Sequence, residues 1–107
     1  MLKKKYRLPS SVRLEKAKTK SFKYFVLKTA DNNLLNSRFA FVISKKVDGR
    51  AVIRNKIKRE MTNYIAKNIE KIVPGKDMIF ILKRNVVQAA EAALSIEDAF
   101  SEGGLLK

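Results

Sequence analysis

An α+β fold in one small domain is predicted for this 107-residue chain by three features of its sequence. Residues 21–30 (SFKYFVLKTA) and 38–44 (RFAFVIS) are rich in aromatic and β-branched residues, as strands are. Between positions 53 and 72, apolar residues recur at spacings of three and four, the period of an amphipathic helix. A further apolar run, MIFIL at 78–82, is followed by an Ala-rich helical stretch. A chain of this length supports one modest core and no second.

The elements follow in order. After a basic leader, residues 1–8, the run Pro9-Ser10-Ser11 offers a hydroxyl as N-cap, and VRLEKAK is expected to form a short helix with Val12, Leu14 and Ala17 on its apolar side. The strand at 21–30 ends at Asp31-Asn32-Asn33, residues suited to turns, and a loop runs to Ser37. In 38–44, Phe39, Phe41 and Ile43 share one face and Ala40, Val42 and Ser44 the other. The simplest partner for this strand is the one before it, antiparallel.

A basic loop from Lys45 to Arg50 then turns at Asp48-Gly49. The long helix is expected to start near Ala51, to carry Ile53, Ile57, Met61, Tyr64, Ile65, Ile69 and Ile72 on one stripe, and to stop at Pro74-Gly75. MIFIL shows no alternation, which places it inside the sheet. The last helix has Val86, Ala89, Ala90, Ala93, Ile96 and Phe100 on its apolar side and Gly103-Gly104 as its end. The predicted order is α-β-β-(β)-α-β-α in a mixed sheet packed by helices. The bracketed strand forms if residues 21–37 divide further.

Composition narrows the chemistry. There is no Cys and no His, which excludes disulfides, thiolate catalysis and the commonest general base. The acids are scattered, and Glu97-Asp98 point apart on a helix, so no protein catalytic residue and no metal ligand set is expected. No apolar run approaches the roughly 18 residues of a membrane span. The leader has cations without a following apolar segment, so a cytoplasmic protein is expected.

The net charge of +14 is segregated. Residues 1–59 hold 18 Lys and Arg against Glu15, Asp31 and Asp48, whereas residues 60–107 hold six against seven acids. Such asymmetry is the electrostatic footprint of a protein that tracks a phosphate backbone and releases its counterions. The long helix repeats the pattern locally. Arg54, Lys56, Lys58 and Arg59 crowd its opening turns, where the helix dipole disfavours cations, and Lys45, Lys46 and Arg50 precede them. On the helical wheel Asn55, Lys58, Arg59, Thr62 and Asn63 lie together beside the apolar stripe. Asn55 has two roles open to it: contact with a 2′-hydroxyl, base edge or hydrated ion, or a cap on the preceding loop.

Ser44-Lys45-Lys46-Val47 followed by Ala51-Val52-Ile53-Arg54-Asn55-Lys56-Ile57-Lys58-Arg59 resembles the signature of the bacterial ribonuclease P protein subunit. The resemblance extends to Arg7-Leu8, Phe25-Val26-Leu27, Arg38-Phe39-Ala40-Phe41 and Asp77-Met78-Ile79, and so covers nearly the whole chain. It implies a single RNA-binding domain over 1–107 with residues 1–8 as a basic arm. It also implies a left-handed crossover through the long helix between two parallel strands, where general topology rules would favour the right-handed form.

For function, the resemblance implies that Lys45, Lys46, Arg50, Arg54, Asn55, Lys56, Lys58 and Arg59 face a catalytic RNA. The single-stranded 5′ leader of precursor tRNA would lie in a cleft between the first helix, the long helix and the sheet, with Arg7, Leu14, Lys18, Phe22, Tyr24, Lys28 and Phe41 as candidate contacts. The RNA would bind Mg²⁺ and perform the hydrolysis, with the protein a monomer before assembly. The chain departs from the family pattern at Leu14, Lys18 and Lys28, where aromatic residues are common, and at Thr62-Asn63, where relatives often carry another Arg. Composition alone is equally compatible with a ribosomal or other structural RNA-binding protein. A basic amphipathic helix on an anionic membrane fits poorly, because its apolar stripe is needed for the core.

Overall fold

The apolar stripe of the long helix is what organises the molecule. Residues Ala51–Lys67 form helix α1, and its Ile57, Met61 and Ile65, spaced by four, are fully buried. Burial of such side chains contributes about 1.5–3 kcal/mol each. The computed structural model describes residues 3–9, 14, 17–84 and 89–107. Its other elements are a 3₁₀ turn at Lys4–Tyr6, strands β1 (Lys18–Ser21), β2 (Phe25–Asp31), β3 (Arg38–Val42) and β4 (Lys76–Leu82), a second 3₁₀ turn at Ile69–Lys71, and helix α2 (Ala89–Gly103).

The four strands form one sheet in the order β1-β2-β4-β3. Strand β4 is antiparallel to β2 and parallel to β3, and β1 is antiparallel to β2. The expectation that MIFIL is an inner strand holds: β4 carries this apolar run between two neighbours, which give it the most cover. The register sets Phe25 opposite Leu82, Leu27 opposite Phe80, and Phe39 and Phe41 opposite Met78 and Phe80. With α1 and α2 these residues enclose the core, in which Phe80 meets Phe25 edge-on at 5.2 Å and Phe100 at 6.0 Å. Opposite residues share a face, so the other side of the sheet carries Val26, Lys28, Ile79, Ile81, Ala40 and Val42.

Several expectations are corrected. The run 21–30 is not one strand: it breaks at Phe22–Tyr24 into the turn of a β1–β2 hairpin, with Phe22 N–H bonded to Phe25 O at 2.8 Å. The further division of 21–37 therefore falls at this turn and yields the additional strand, β1, most of which precedes residue 21; Lys18, expected to end a helix, opens it. Most of that expected helix, Val12 included, lies outside the described residues. Strands β2 and β3 do not pair with each other. Instead β4 inserts between them, because its two apolar faces match both. The parallel β3–α1–β4 connection implied by the family resemblance is present.

Helix α1 ends at Lys67, where Asn68 Nδ2 donates back to Tyr64 O at 2.8 Å. Ile69 therefore falls in the following 3₁₀ turn. Ile72, still buried, pairs in a β-bridge with Leu106. In α2 the buried side is Ala92, Ala93, Ile96, Ala99 and Phe100, while Ala90 is exposed. Val86 lies outside the described residues. The expected stop is present: Gly104, at φ 68°, takes the left-handed conformation that ends the helix.

Candidate nucleic-acid interface

Strands β3 and β4 run parallel and α1 runs back against them, so the Ser44–Arg50 loop and the opening of α1 sit at the strands' C-terminal end. The loop is tied internally. Asp48 accepts from the Arg50 backbone N–H at 2.9 Å and from the Arg50 guanidinium at 3.1 and 3.0 Å. One turn into the helix, Arg54 Nη1 donates to the carbonyls of Asp48 and Gly49, both at 3.0 Å. Arg50 stands at the helix N-cap without a side-chain cap, and the first turn has no acid.

This modifies the expected set of phosphate ligands. Arg50 has a carboxylate partner and Arg54 is engaged by the loop, so both shape the platform rather than standing wholly free. Lys45, Lys46, Asn55, Lys56, Lys58 and Arg59 are exposed. Among the described residues, no ion pair involves these five cations. The Arg50 side chain and backbone hydrogen bonds hold the Asp48 carboxyl down at about 2. A lowered folded-state pKa stabilises at pH above the ordinary value of 3.8 and ceases to do so as pH falls through about 2. The loop is therefore expected to keep its form down to about pH 3. In a carboxyl NMR titration the Asp48 midpoint should lie near 2, and Arg50→Ala should return it toward 3.8.

Below this platform a cleft of about 1010 Å³ opens between α1, the chain at Arg7–Pro9 and the edge strand β3, which lines it with residues from both of its faces. Asn55, Lys58, Arg59, Thr62 and Asn63 form its α1 wall, and Ala40, Val42 and Ile79 its aliphatic floor. The opposite lip is fixed because Leu8 is buried, its N–H bonds Phe39 O at 2.9 Å, and Arg7 bridges Phe39 as a parallel partner. The cleft thus unites Asn55, Lys58 and Arg59 with Arg7 and Phe41, which the sequence had assigned to two different RNA contacts.

The remaining candidates fall elsewhere. Phe22 packs on Phe25 with centroids 5.6 Å apart, and the Tyr24 hydroxyl donates to Glu91 Oε2 at 2.6 Å, so both rings serve the α2 side of the sheet. Phe41 lines the cleft but its ring stacks on Phe80 at 5.2 Å and 12°, which commits it to the core layer. Lys28 lies on the cleft side of the sheet, opposite Ile79. Lys18 is exposed at the start of β1 on the other side, opposite Thr29. Leu14 is half-buried. Sequence reading missed Val42, Ile79 and Pro9 as lining residues. The alternation in 38–44 did carry a signal for Val42, since it put Ala40 and Val42 off the core face, and Val42 remains 48% exposed.

A cationic platform at a helix opening, continuous with an open cleft whose walls are polar and whose floor is aliphatic, is the arrangement expected of a nucleic-acid-binding α+β domain. The family model described as Ribonuclease P matches residues 2–100, and the chain belongs to that family. The ribonuclease P protein component of Fusobacterium nucleatum is 49% identical over 53 residues, 50% of this chain and 47% of that protein, so the match spans about half the relative's length. That of Geobacillus thermodenitrificans is 31% identical over 113 residues, covering 99% of this chain and 93% of the relative. The solved RNase P protein of Staphylococcus aureus superposes with a TM-score of 0.84 at 26% identity, over 95% of this chain and 98% of that one.

Proposed function

We propose that this chain is the protein subunit of a bacterial ribonuclease P and that it assists endonucleolytic removal of the 5′ leader from precursor tRNA. The observation that carries the proposal is the meeting of the exposed cations Lys58 and Arg59 with an open cleft built from the family's signature helix. The platform, Lys45, Lys46, Lys56 and the outer face of Lys58 and Arg59, binds the catalytic RNA. The cleft holds the single-stranded leader, with Arg7, Asn55 and Asn63 along its polar walls.

Two polyanions must be held side by side in this assembly. The cations offset their mutual repulsion, and the cleft fixes the leader so that the scissile bond lies where the RNA acts. Mg²⁺ would be held mainly by the RNA, where it would supply Lewis-acid stabilisation of the charge that develops during hydrolysis. The described residues hold no group of three acids that could ligate a metal. With an aliphatic floor and no free ring among the described residues of the cleft, leader bases are held by apolar contact and by the polar α1 wall instead of by aromatic stacking. The assembly acts in the cytoplasm, with the protein joining the RNA as a monomer.

The reading is tested by adding the protein to a bacterial ribonuclease P RNA and precursor tRNA at low Mg²⁺. Stimulated cleavage at the mature 5′ end supports it. Binding to the RNA without stimulation would identify instead a non-catalytic RNA-structure protein. Salt offers a second check: affinity for the catalytic RNA should fall by roughly a thousandfold or more between 50 and 200 mM monovalent salt if six or more phosphates are neutralised. A flat profile would refute the phosphate-tracking account.

A further inference from the structure

The family signature ends at Arg59, but the cationic end of the sheet does not. Ser21 pairs with Val26, Phe25 with Leu82 and Ile81 with Val42, so the β1–β2 turn, the residues after β4 and the loop after β3 all emerge at one end. They bring Lys23, then Lys83 and Arg84, then Lys45 and Lys46 into a row across the strands. From β2 to β3 this row spans two interstrand steps, about 10 Å.

Lys83 is held in place. Its backbone N–H bonds Tyr24 O at 2.9 Å, and its ammonium bonds Ser21 Oγ at 2.6 Å and the Phe22 carbonyl. These partners are neutral, so the charge is fixed over the hairpin turn without being cancelled. Arg84 beside it is exposed, and Lys23 lies over the Tyr24 ring at 5.2 Å. A preorganised cation flanked by two more, contiguous with the signature loop, suits a second run of phosphates.

We propose that Lys23, Lys83 and Arg84 form a phosphate-binding strip that extends the contact with the catalytic RNA beyond the signature helix and loop. The occupant is the catalytic RNA and not the leader, because the strip continues the Lys45–Lys46 platform across β2 and β4, whereas the cleft lies between α1 and β3. The inference rests on the proposed function, and its test keeps the two apart.

Lys83 is left intact, since it also ties the hairpin. In the full-length protein, Lys23→Gln with Arg84→Gln should weaken binding to ribonuclease P RNA about tenfold and make the log–log salt slope shallower by about two, one for each phosphate no longer neutralised. Lys67→Gln with Lys107→Gln removes the same charge near the other end of the molecule and should leave the slope unchanged. Equal effects from both pairs would overturn the strip, leaving only net charge. If Arg59→Gln weakens binding while the Lys23 and Arg84 pair does not, the strip is wrong and the signature-helix contact stands. A loss confined to precursor tRNA binding by the holoenzyme would also overturn it, assigning the strip to substrate. Wild-type protein that fails to bind the RNA at all would refute the proposed function itself.

Discussion

Replacing Lys58 and Arg59 together with alanine is expected to lower affinity for the ribonuclease P RNA about a hundredfold at moderate salt while leaving the unfolding midpoint nearly where it was. Each side chain is exposed and lines the cleft. A charge-assisted contact contributes about 1.5 kcal/mol, roughly tenfold in affinity, and two such contacts multiply. Removing exposed side chains that have no ion-pair partner among the described residues should change stability by no more than about 0.5 kcal/mol. Filter binding and a urea melt on the same preparation give both quantities. A collapse in stability with affinity intact would assign these residues to the fold. Arg54 cannot serve for this test, because its bonds to Asp48 O and Gly49 O make its removal a change to the loop as well as to the charge.

A large stability loss is expected from Asp77→Ala. Asp77 is 3% exposed at the start of β4 and accepts from Arg38 Nε at 2.8 Å, Arg38 Nη2 at 2.7 Å and Asn32 Nδ2 at 2.9 Å. Arg38 and Asp77 are register partners, so the pair joins the parallel strands where both begin. Truncating Asp77 leaves the half-buried Arg38 guanidinium and Asn32 Nδ2 without their shared acceptor, at a cost of about 3 kcal/mol. For a domain of this size that corresponds to roughly 15 °C in Tm. Arg38→Met with Asp77→Leu should recover much of the loss, since replacing both partners leaves no buried charge unmatched. A drop below about 1 kcal/mol for Asp77→Ala would show that the pair does not hold the strands.

Local signals in the chain were faithful wherever one element's own pattern decided the outcome. The spacing of Ile57, Met61 and Ile65 marked the buried side of α1, and the uninterrupted apolar run of β4 marked an inner strand. What could not be read was partnership. Alternation in β2 and β3 states which residues face inward but not which strand lies alongside, so the nearest neighbour in sequence was the natural and wrong choice. Strand β1, KTKS, is exposed on all four residues and has no apolar face to reveal it. In the same way the signature showed that Asn55, Lys58 and Arg59 share a flank of α1. That Arg7 and Leu8 close the opposite lip depends on a backbone bond from Leu8 to Phe39, 31 residues away, for which no side-chain pattern exists.

The central place of β4 bears on how the chain folds as it is made. Neither β2 nor β3 has the other to bind, so a nascent chain must extend beyond residue 82 before either can join the sheet through its main partner. Until then an isolated β1–β2 hairpin is marginal and α1 has no sheet to cover it. Assembly is therefore close to all-or-none and late. A ribosome stalled anywhere before β4 emerges would display aromatic strands beside a dense run of positive charge, a combination prone to mispairing with whatever polyanion or apolar surface lies within reach.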